Sequence, residues 1–272
     1  MFTFTIFNVG HGFCAYATTP GEVDILFDCG YDDDLMFYPS TYFSDRNISH
    51  IHNLTISHFD QDHISDLESL RETIKFDGIS RNKSIPADFI KRQKRNQGGI
   101  TSAMAVAIEM HSEWTSPLSI SPNYGGVQVR RFYNDYLAFT DFNNLSLVTF
   151  LEYQGCGIVV PGDLEGAGWK MLLENSTFCE CLKRTNYFIA SHHGRNEGYC
   201  EEVFDYCKPK LIILSDKGIV HKSQEHDYTK HAAGLPDNGG GTRRVLTTRS
   251  DGHIRIEKPA GEPVSVIYNL EL

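Results

Sequence analysis

The chain lacks long hydrophobic runs and an excess of positive charge. Its longest apolar stretches, such as "YFIA" and "LIIL", are far shorter than the roughly 20 residues that cross a bilayer. The N-terminus "MFTFTIFNVG" has no basic segment followed by a long apolar one, so we expect a soluble, cytoplasmic protein without a membrane or targeting segment. A formal net charge of −10 argues against a protein that coats nucleic acid through a uniformly basic surface.

Cysteines in regular pairs, internal repeats and low-complexity segments are also missing. Seven cysteines, an odd number, are scattered over 272 residues, which does not indicate a disulfide framework and favours a reducing compartment. Cys179 and Cys181 form a lone CxC pair, for which we expect no metal-binding role. A hydrophobic content of 40% suits an ordinary globular core, and we predict a single domain over residues 1–272.

The pattern along the chain predicts two strand-rich halves with helices between the strands. Short β-branched and aromatic runs predict strands in residues 1–30, and "HNLTIS" predicts another before the helical "DLESLRETIKF". Strands return as "VQVRRF", "LAFT", "LSLVTFLEY" and "CGIVVPGD", then alternate with helices such as "CEEVFDYC". We expect an α/β protein of two facing mixed sheets with helices on the outer faces, an αββα sandwich. Residues from about 79 to 121 lack this pattern and are predicted to be an insertion or cap.

The stretch "SHFDQDHISDL" concentrates metal-compatible side chains in the loop between a predicted strand and a predicted helix. His58, Asp60, Asp62 and His63 fall within six residues. Imidazole and carboxylate are ligands suited to Zn, Mn or Fe. A polar loop with helix caps and surface charges is the alternative interpretation.

Three other predicted strands end on similar groups. Asp163 ends "IVVPGD", where it could bridge two ions, although a helix N-cap is the alternative. His192 and His193 end "FIASHHG", and one of them is expected to support the ligands or contact substrate instead of binding the ion. Asp28 ends "ILFDCG" and is expected to orient the ligand loop. Together these strand ends favour a metal centre.

These motifs resemble those of the metallo-β-lactamase superfamily, in which an HxHxDH loop is followed by a distant Asp and a distant His on strand ends. Asp60 stands where the common pattern has its second histidine, and this HxDxDH variant resembles the hydrolase domain of the competence-type DNA-internalisation membrane protein. Other segments are similar to that domain: "FNVGHGFCA", "FDCG", "NNLSLVTFLEY", "VVPGDLEG", "ASHHG" and "VLTTRSDGHIRIE". The resemblance covers nearly the whole chain, except the region around 79–130 and the loop around 217–241.

The resemblance implies a centre for two divalent ions, Mn or Zn, or for a single ion. It places His58 and Asp60 on one ion, Asp62 and His63 on the other, Asp163 between them, and His192 as the last ligand with His193 as the alternative. Asn144, or Asn143 in the other register, stands where many members have a further histidine, which favours Mn over Zn. Two ions would stabilise the attacking and leaving oxygens and lower the pKa of the water between them.

The implied catalytic residues are Asp62, His63, His193 and His226. His221 or His226, in "HKSQEHDYTKH", could protonate the leaving group, although a polar loop is the main interpretation of that stretch. His11 in "NVGHG" is a candidate substrate contact. His50, His52 and His111 are expected at the surface or in packing.

The resemblance implies a metal-dependent hydrolase, specifically a nuclease or phosphodiesterase acting on DNA. A basic run, Lys91, Arg92, Lys94 and Arg95, is either a solvated helix face or a nucleic-acid groove, which Arg130, Arg131, Arg243 and Arg244 could extend. The alternatives are a hydrolase of a small thioester, lactone or lactam, and a metal-stabilised, non-catalytic interaction subunit. Because the chain has no channel segment, a separate protein partner is expected, for example in a phage-defence or mobile-element system. The sequence leaves the oligomeric state open.

Overall fold

Two mixed β-sheets lie face to face in the computed structural model, which describes residues 1–116, 122–217, 224–236 and 240–272. The first sheet has the strand order β15-β14-β1-β2-β3-β4-β5, with antiparallel neighbours up to β3 and parallel pairing of β3 with β4 and of β4 with β5. Its strands are β1 (Phe2–Ile6), β2 (Ala15–Thr18), β3 (Asp24–Phe27), β4 (His50–Thr55), β5 (Lys75–Ser80), β14 (His253–Lys258) and β15 (Ser265–Leu270).

The second sheet has the order β13-β10-β9-β8-β7-β6. Strands β13, β10, β9 and β8 run parallel, and β7 and β6 are antiparallel to their neighbours. Its strands are β6 (Gln128–Phe132), β7 (Val148–Tyr153), β8 (Cys156–Val160), β9 (Tyr187–Ile189), β10 (Leu211–Leu214) and β13 (Val245–Thr247). A small antiparallel pair, β11 (Leu235–Pro236) and β12 (Thr242–Arg243), lies apart from both sheets.

Helices connect the strands. The α-helices are α1 (Pro39–Asp45), α2 (Gln61–Ile64), α3 (Leu67–Thr73), α4 (Ala87–Asn96), α5 (Ser102–Glu113), α6 (Gly166–Leu173), α7 (Ser176–Leu182), α8 (Glu225–Thr229) and α9 (Thr248–Asp251). Short 3-10 helices cover Asp33–Leu35, Asn143–Leu145, Ser191–Gly194 and Glu201–Asp205. The predicted helix "CEEVFDYC" is therefore a 3-10 turn, and the predicted strand "LAFT" has no strand structure.

Alternating side chains build a three-layered core. In β9, Tyr187 and Ile189 point into the space between the sheets while Phe188 packs with the outer helices, as the two-residue period of a strand requires. The same alternation separates Ile158 from Val159 in β8. The two sheets thus share one apolar layer between them, and each sheet packs a second apolar layer against the helices on its outer face. This arrangement confirms the predicted αββα sandwich.

The segment 79–121 joins this architecture through its helices. Ile90 of α4 and Ala107 of α5 are fully buried in the core on the outer face of the first sheet. Strand β5 and its hydrogen bonds to β4 also extend into the segment, which the sequence pattern did not predict. That the segment is an insertion or cap in a single domain stays a prediction; the structure adds that both helices contribute to the core.

All seven cysteines are buried as free thiols, as expected from their number and spacing. His111 is buried in packing, where its Nε2 lies 2.7 Å from the Ile85 carbonyl oxygen. Within the described parts of the chain, no helix has the length and apolar character needed to cross a membrane.

His253 should make the stability of the fold depend on pH. Its Nδ1 accepts a hydrogen bond from the Asn8 backbone N–H at 3.0 Å, and its ring packs beside Phe7 and Phe37. Burial lowers the pKa of His253 from 6.5 to about 4. Since the folded pKa lies below the unfolded one, the stabilisation is present above pH 6.5 and is lost as the pH falls toward 4. The loss by pH 5 is about 1–2 kcal/mol, after a discount for the solvated part of the ring.

Denaturant unfolding of the ion-free protein at pH 7.5 and pH 5 measures this effect. The His253→Gln variant keeps an acceptor for Asn8 but does not titrate, so its stability should fall less between the two pH values. His50→Gln, at a half-buried histidine at the start of β4, should behave as wild type. Equal pH dependence in wild type and His253→Gln would contradict the assignment.

Candidate metal centre

Four side chains from three parts of the chain converge at one edge of the sandwich. Asp62, His63, Asp163 and His193 each present a ligand atom, and these atoms lie within 4.8 Å of one another. His63 Nε2 is 3.0 Å from Asp163 Oδ1, and His193 Nε2 is 3.3 Å from Asp62 Oδ2. Two imidazole nitrogens and two carboxylates are a ligand set that suits a divalent ion such as Zn or Mn. The structure brings these four predicted residues together, and we call them the ligand cluster.

Strand ends position the ligand cluster. Asp62 and His63 lie in α2, a few residues after β4, while Asp163 follows β8 and His193 follows β9. Because β8 and β9 are parallel, their carboxyl ends meet at the same edge, where α/β proteins commonly bind ligands. Gly162 is needed beside Asp163: its φ is +61°, and a Cβ there would lie 2.7 Å from the Ser57 Cβ.

The far nitrogens of both histidines in the cluster are anchored. His63 Nδ1 donates to Asp28 Oδ2 at 2.7 Å, and His193 Nδ1 donates to the Ser215 carbonyl oxygen at 2.9 Å. Such bonds to a carboxylate or carbonyl are typical of metal-ligating histidines, because they fix the ring and its tautomer. The two Nε2 atoms consequently face each other at 3.3 Å. Asp28 therefore lies behind the ligand loop, where it can orient His63.

The charges of the ligand cluster are balanced when no ion is bound. Burial alone would lower the pKa of His63, but Asp163 and Asp28 raise it well above its usual value. Burial is likewise outweighed at His193, where Asp163 and Asp62 raise the pKa to about 9. Against burial, His63 and His193 hold the pKa of Asp163 well below its usual range. A divalent cation would replace the protons of the two imidazoles, since a metal ligand must be deprotonated.

Asp28→Asn should weaken ion binding without removing a ligand. Asp28 accepts hydrogen bonds from the Ser57 N–H at 2.7 Å and the Ser57 Oγ at 2.6 Å, besides the one from His63. Asparagine tolerates the left-handed φ of 52° at this position but loses the charge that stabilises His63. Loss of such a supporting carboxylate commonly costs about 10–100-fold in affinity.

Titration of the ion-free protein with Mn²⁺ or Zn²⁺ gives the affinity for this test. Asp251→Asn is a matched control, because Asp251 is also a buried carboxylate but is paired with Arg243 away from the ligand cluster. Equal affinities for wild type and Asp28→Asn would show that Asp28 does not support His63.

His58 and Asp60 form a second, less complete group beside the ligand cluster. His58 Nε2 is buried and makes no hydrogen bond to the described residues, and it lies 3.7 Å from Asp60 Oδ2 and 3.9 Å from Asp163 Oδ2. Burial, and then the charge of His63, lower the pKa of His58, which favours the neutral form that binds metals. These residues fit part of a second ion site. The other oxygen of Asp60, however, contacts the ammonium of Lys94.

His192, the predicted last ligand, and Asn144, which stands where a further histidine is missing, both hydrogen-bond to residues outside the ligand cluster. His192 Nε2 accepts a hydrogen bond from Arg195 Nη1 at 3.2 Å and lies 3.8 Å from Asp163 Oδ2. The geometry therefore favours His193, the predicted alternative, as the ligand in place of His192. Both histidines have positive φ, 50° and 55°, which turns their adjacent side chains to different neighbours. Asn144 Oδ1 accepts from the Gly168 N–H at 2.8 Å, so it supports α6.

His11 and Arg195 border the ligand cluster from the solvent side. His11 Nε2 is 3.3 Å from Asp62 Oδ2 and 3.0 Å from Arg195 Nη2. Burial, and then the charge of His193, lower the pKa of His11 to about 4. The sequence interpretation named His11 as a candidate substrate contact but missed Arg195, although it directly follows "SHHG".

The remaining predicted residues are not part of the ligand cluster. His226 is exposed on α8, and its role as a leaving-group acid stays a prediction, while His221 lies outside the described residues. Lys94 is buried and paired with Asp60, so the prediction that it lines an open nucleic-acid groove is wrong. Arg92 and Arg95 are exposed and Lys91 is half-buried on the same helix, α4.

An open cleft of about 700 Å³ leads to the ligand cluster. Its lining includes six carboxylates, those of Asp32, Asp33, Asp34, Asp60, Asp62 and Asp163. Lys217 contacts two of them, Asp32 at 2.7 Å and Asp34 at 2.5 Å. Two lysines, Lys94 and Lys217, together with Arg195 and one divalent ion, would leave the cleft close to neutral.

Comparison with known proteins finds no matching family model and no matching curated protein. Solved structures do match. The chain is similar to CmlA, a diiron β-hydroxylase from Streptomyces venezuelae, with a TM-score of 0.52 and 12% identity over 94% of this chain and 54% of that chain. The CmlA E377D mutant gives a TM-score of 0.53 and 13% identity, with the same coverage.

The chain thus spans about half the length of the CmlA chains that it matches. Igni18, a metallo hydrolase from the archaeon Ignicoccus hospitalis, matches with a TM-score of 0.46 and 12% identity over 94% of this chain and 100% of that chain. At these identities the likeness to CmlA concerns the fold alone, which in this chain is two facing mixed sheets between helical layers.

Proposed function

We propose that the chain is a metal-dependent hydrolase that cleaves phosphodiesters. The observation that supports this most is the ligand cluster, in which His63 and His193 are each anchored through Nδ1 and present Nε2 to two carboxylates. A divalent ion held there would activate water and polarise a substrate oxygen. The carboxylate of Asp62 is partly exposed to the cleft, and in this proposal it would orient the attacking water.

Arg195 supports a phosphodiester over a small thioester, lactone or lactam. Its guanidinium lies at the cleft beside His192 and His11, within the same lining as Asp62 and Asp163. A guanidinium matches the geometry of phosphate oxygens and offers paired donors. An uncharged ester would make no comparable use of this group.

The carboxylates of the cleft favour a short substrate. With one ion bound, and with the neighbouring Lys94 and Lys217 counted beside Arg195, the cleft still carries no excess of positive charge, so long-range attraction of a polyanion would be weak. We therefore propose cleavage of a dinucleotide, a cyclic dinucleotide or the end of a DNA strand. We propose further that the natural substrate is DNA and that the chain works with a separate protein partner.

The test incubates the purified protein, loaded with Mn²⁺ or Zn²⁺, with single- and double-stranded DNA, RNA, cyclic dinucleotides and an activated model phosphodiester. A thioester, a lactone and a β-lactam are tested in parallel. Asp62→Ala and His63→Ala should lose activity, whereas Asp77→Ala, at an exposed carboxylate on β5, should keep it. Absence of metal-dependent, mutation-sensitive phosphodiester cleavage would overturn the proposal. Cleavage of the uncharged esters alone would favour the small-ester alternative.

A further inference from the structure

We infer that the Lys94 ammonium takes the place of a second metal ion, so that this chain holds one divalent ion, at the ligand cluster. The inference rests on the metal centre of the proposed function and does not depend on the substrate. It assigns a role to a lysine that the sequence pattern placed on an open surface.

Lys94 is buried in the protein interior. The residue is only 3% exposed, although it belongs to a basic run of α4 whose Arg92 and Arg95 are exposed. It lies one helical turn after Ile90, which is fully buried, so it shares the inward face of the helix. Its Nζ contacts Asp60 Oδ1 and lies 4.4 Å from the centre of the Phe142 ring. A buried ammonium is costly unless it is paired, and Asp60 provides that pairing.

The ion pair with Lys94 neutralises the negative charge of Asp60, which a second metal ion would need. In the position occupied by His58 and Asp60, one carboxylate oxygen contacts Lys94 and the other lies 3.7 Å from His58 Nε2. A dication bound there would share Asp60 with an ammonium, and the two positive charges would repel across a short distance. This repulsion is absent at the ligand cluster, where none of the four ligands contacts a lysine in the described parts of the chain.

The other residues near His58 and Asp60 do not supply the ligands that a second ion would need. Asp163 is within 3.0 Å of His63 and is needed at the ligand cluster. Asn144, which stands where a further histidine ligand is missing, uses its Oδ1 to accept from the Gly168 N–H. His58 Nε2 makes no hydrogen bond to a described residue. This nitrogen could therefore bind a second ion if Lys94 were removed.

The test counts bound ions. Wild-type protein, loaded with Mn²⁺ or Zn²⁺ and then dialysed, should contain about one ion per chain by elemental analysis. Lys94→Met removes the charge but keeps an unbranched side chain, and it should raise the content to about two. Lys91→Met makes the same change at a half-buried lysine of the same helix and should leave the content at about one.

A measurement on the wild type alone tests the inference even if Lys94→Met does not fold. The Mn²⁺ electron paramagnetic resonance spectrum of the wild type should be that of an isolated ion, and the spectrum of a spin-coupled pair would overturn the inference. Two retained ions in the wild type, or one in a folded Lys94→Met variant, would also overturn it and leave the proposed function intact. A wild type that binds no ion would defeat the metal centre itself, and with it both proposals.

Discussion

Asp163→Asn is expected to abolish stable ion binding and to lower hydrolysis by at least about a thousandfold, because the water-activating cation would be lost. Asp163 is buried, and its two oxygens lie near four imidazoles: 3.0 Å from His63, 3.5 Å from His193, 3.8 Å from His192 and 3.9 Å from His58. Asparagine keeps the shape but removes the charge. In the ion-free protein the change should also destabilise the fold, by up to about 3–5 kcal/mol, since it leaves imidazoles that were paired with a buried carboxylate.

Elemental analysis after metal loading and initial rates on the model phosphodiester give the two readouts for Asp163→Asn. Asp251→Asn again serves as the matched buried control, because it also breaks a buried ion pair but lies away from the ligand cluster. Wild-type ion content in Asp163→Asn would show that Asp163 is a structural carboxylate only.

Substitution of His192 and substitution of His193 should have different effects on ion binding. His193→Ala is expected to weaken ion binding by more than about 100-fold, because loss of a ligand should exceed the loss of a supporting partner. His192→Ala should retain the ion, since its Nε2 is taken up by the hydrogen bond from Arg195. Activity should fall with the ion content in His193→Ala and by a smaller factor in His192→Ala.

Parallel Mn²⁺ titrations of the two variants measure this difference. Each variant removes a buried histidine of the same turn after β9, so each is the control for the other. Loss of the ion in His192→Ala with retention in His193→Ala would reverse the assignment and restore His192 as the ligand.

Local sequence signals predicted most of the architecture and much of the site. Apolar runs ended by Asp163 or by the His192–His193 pair located the strand ends, and parallel strands bring such ends together. His63 follows Asp62 directly, so one short helix delivers both. The β5 strand escaped prediction because the predicted helix overlaps its first residues and the Asp77–Gly78 pair inside "KFDGIS" is typical of a turn, while "LAFT" is apolar but has no strand structure.

Contacts distant in sequence could not be predicted. Lys94 and Asp60 are 34 positions apart, and the run "IKRQKRN" gives no sign that one of its four cations faces inward. The rotation of α4, set by the burial of Ile90, decides this. Likewise, the choice between His192 and His193 depends on two positive φ angles, which a pattern of residue types does not encode.

Anomalous diffraction from crystals grown with Mn²⁺ or Zn²⁺ would show directly whether these ions bind and where they lie. We predict one strong peak at the ligand cluster, within about 2.0–2.2 Å of His63 Nε2, His193 Nε2 and oxygens of Asp62 and Asp163. We expect no comparable peak between His58 and Asp60 while Lys94 is present. A protein whose only bound ions lie away from Asp62, His63, Asp163 and His193 would rule out the ligand cluster as the metal centre.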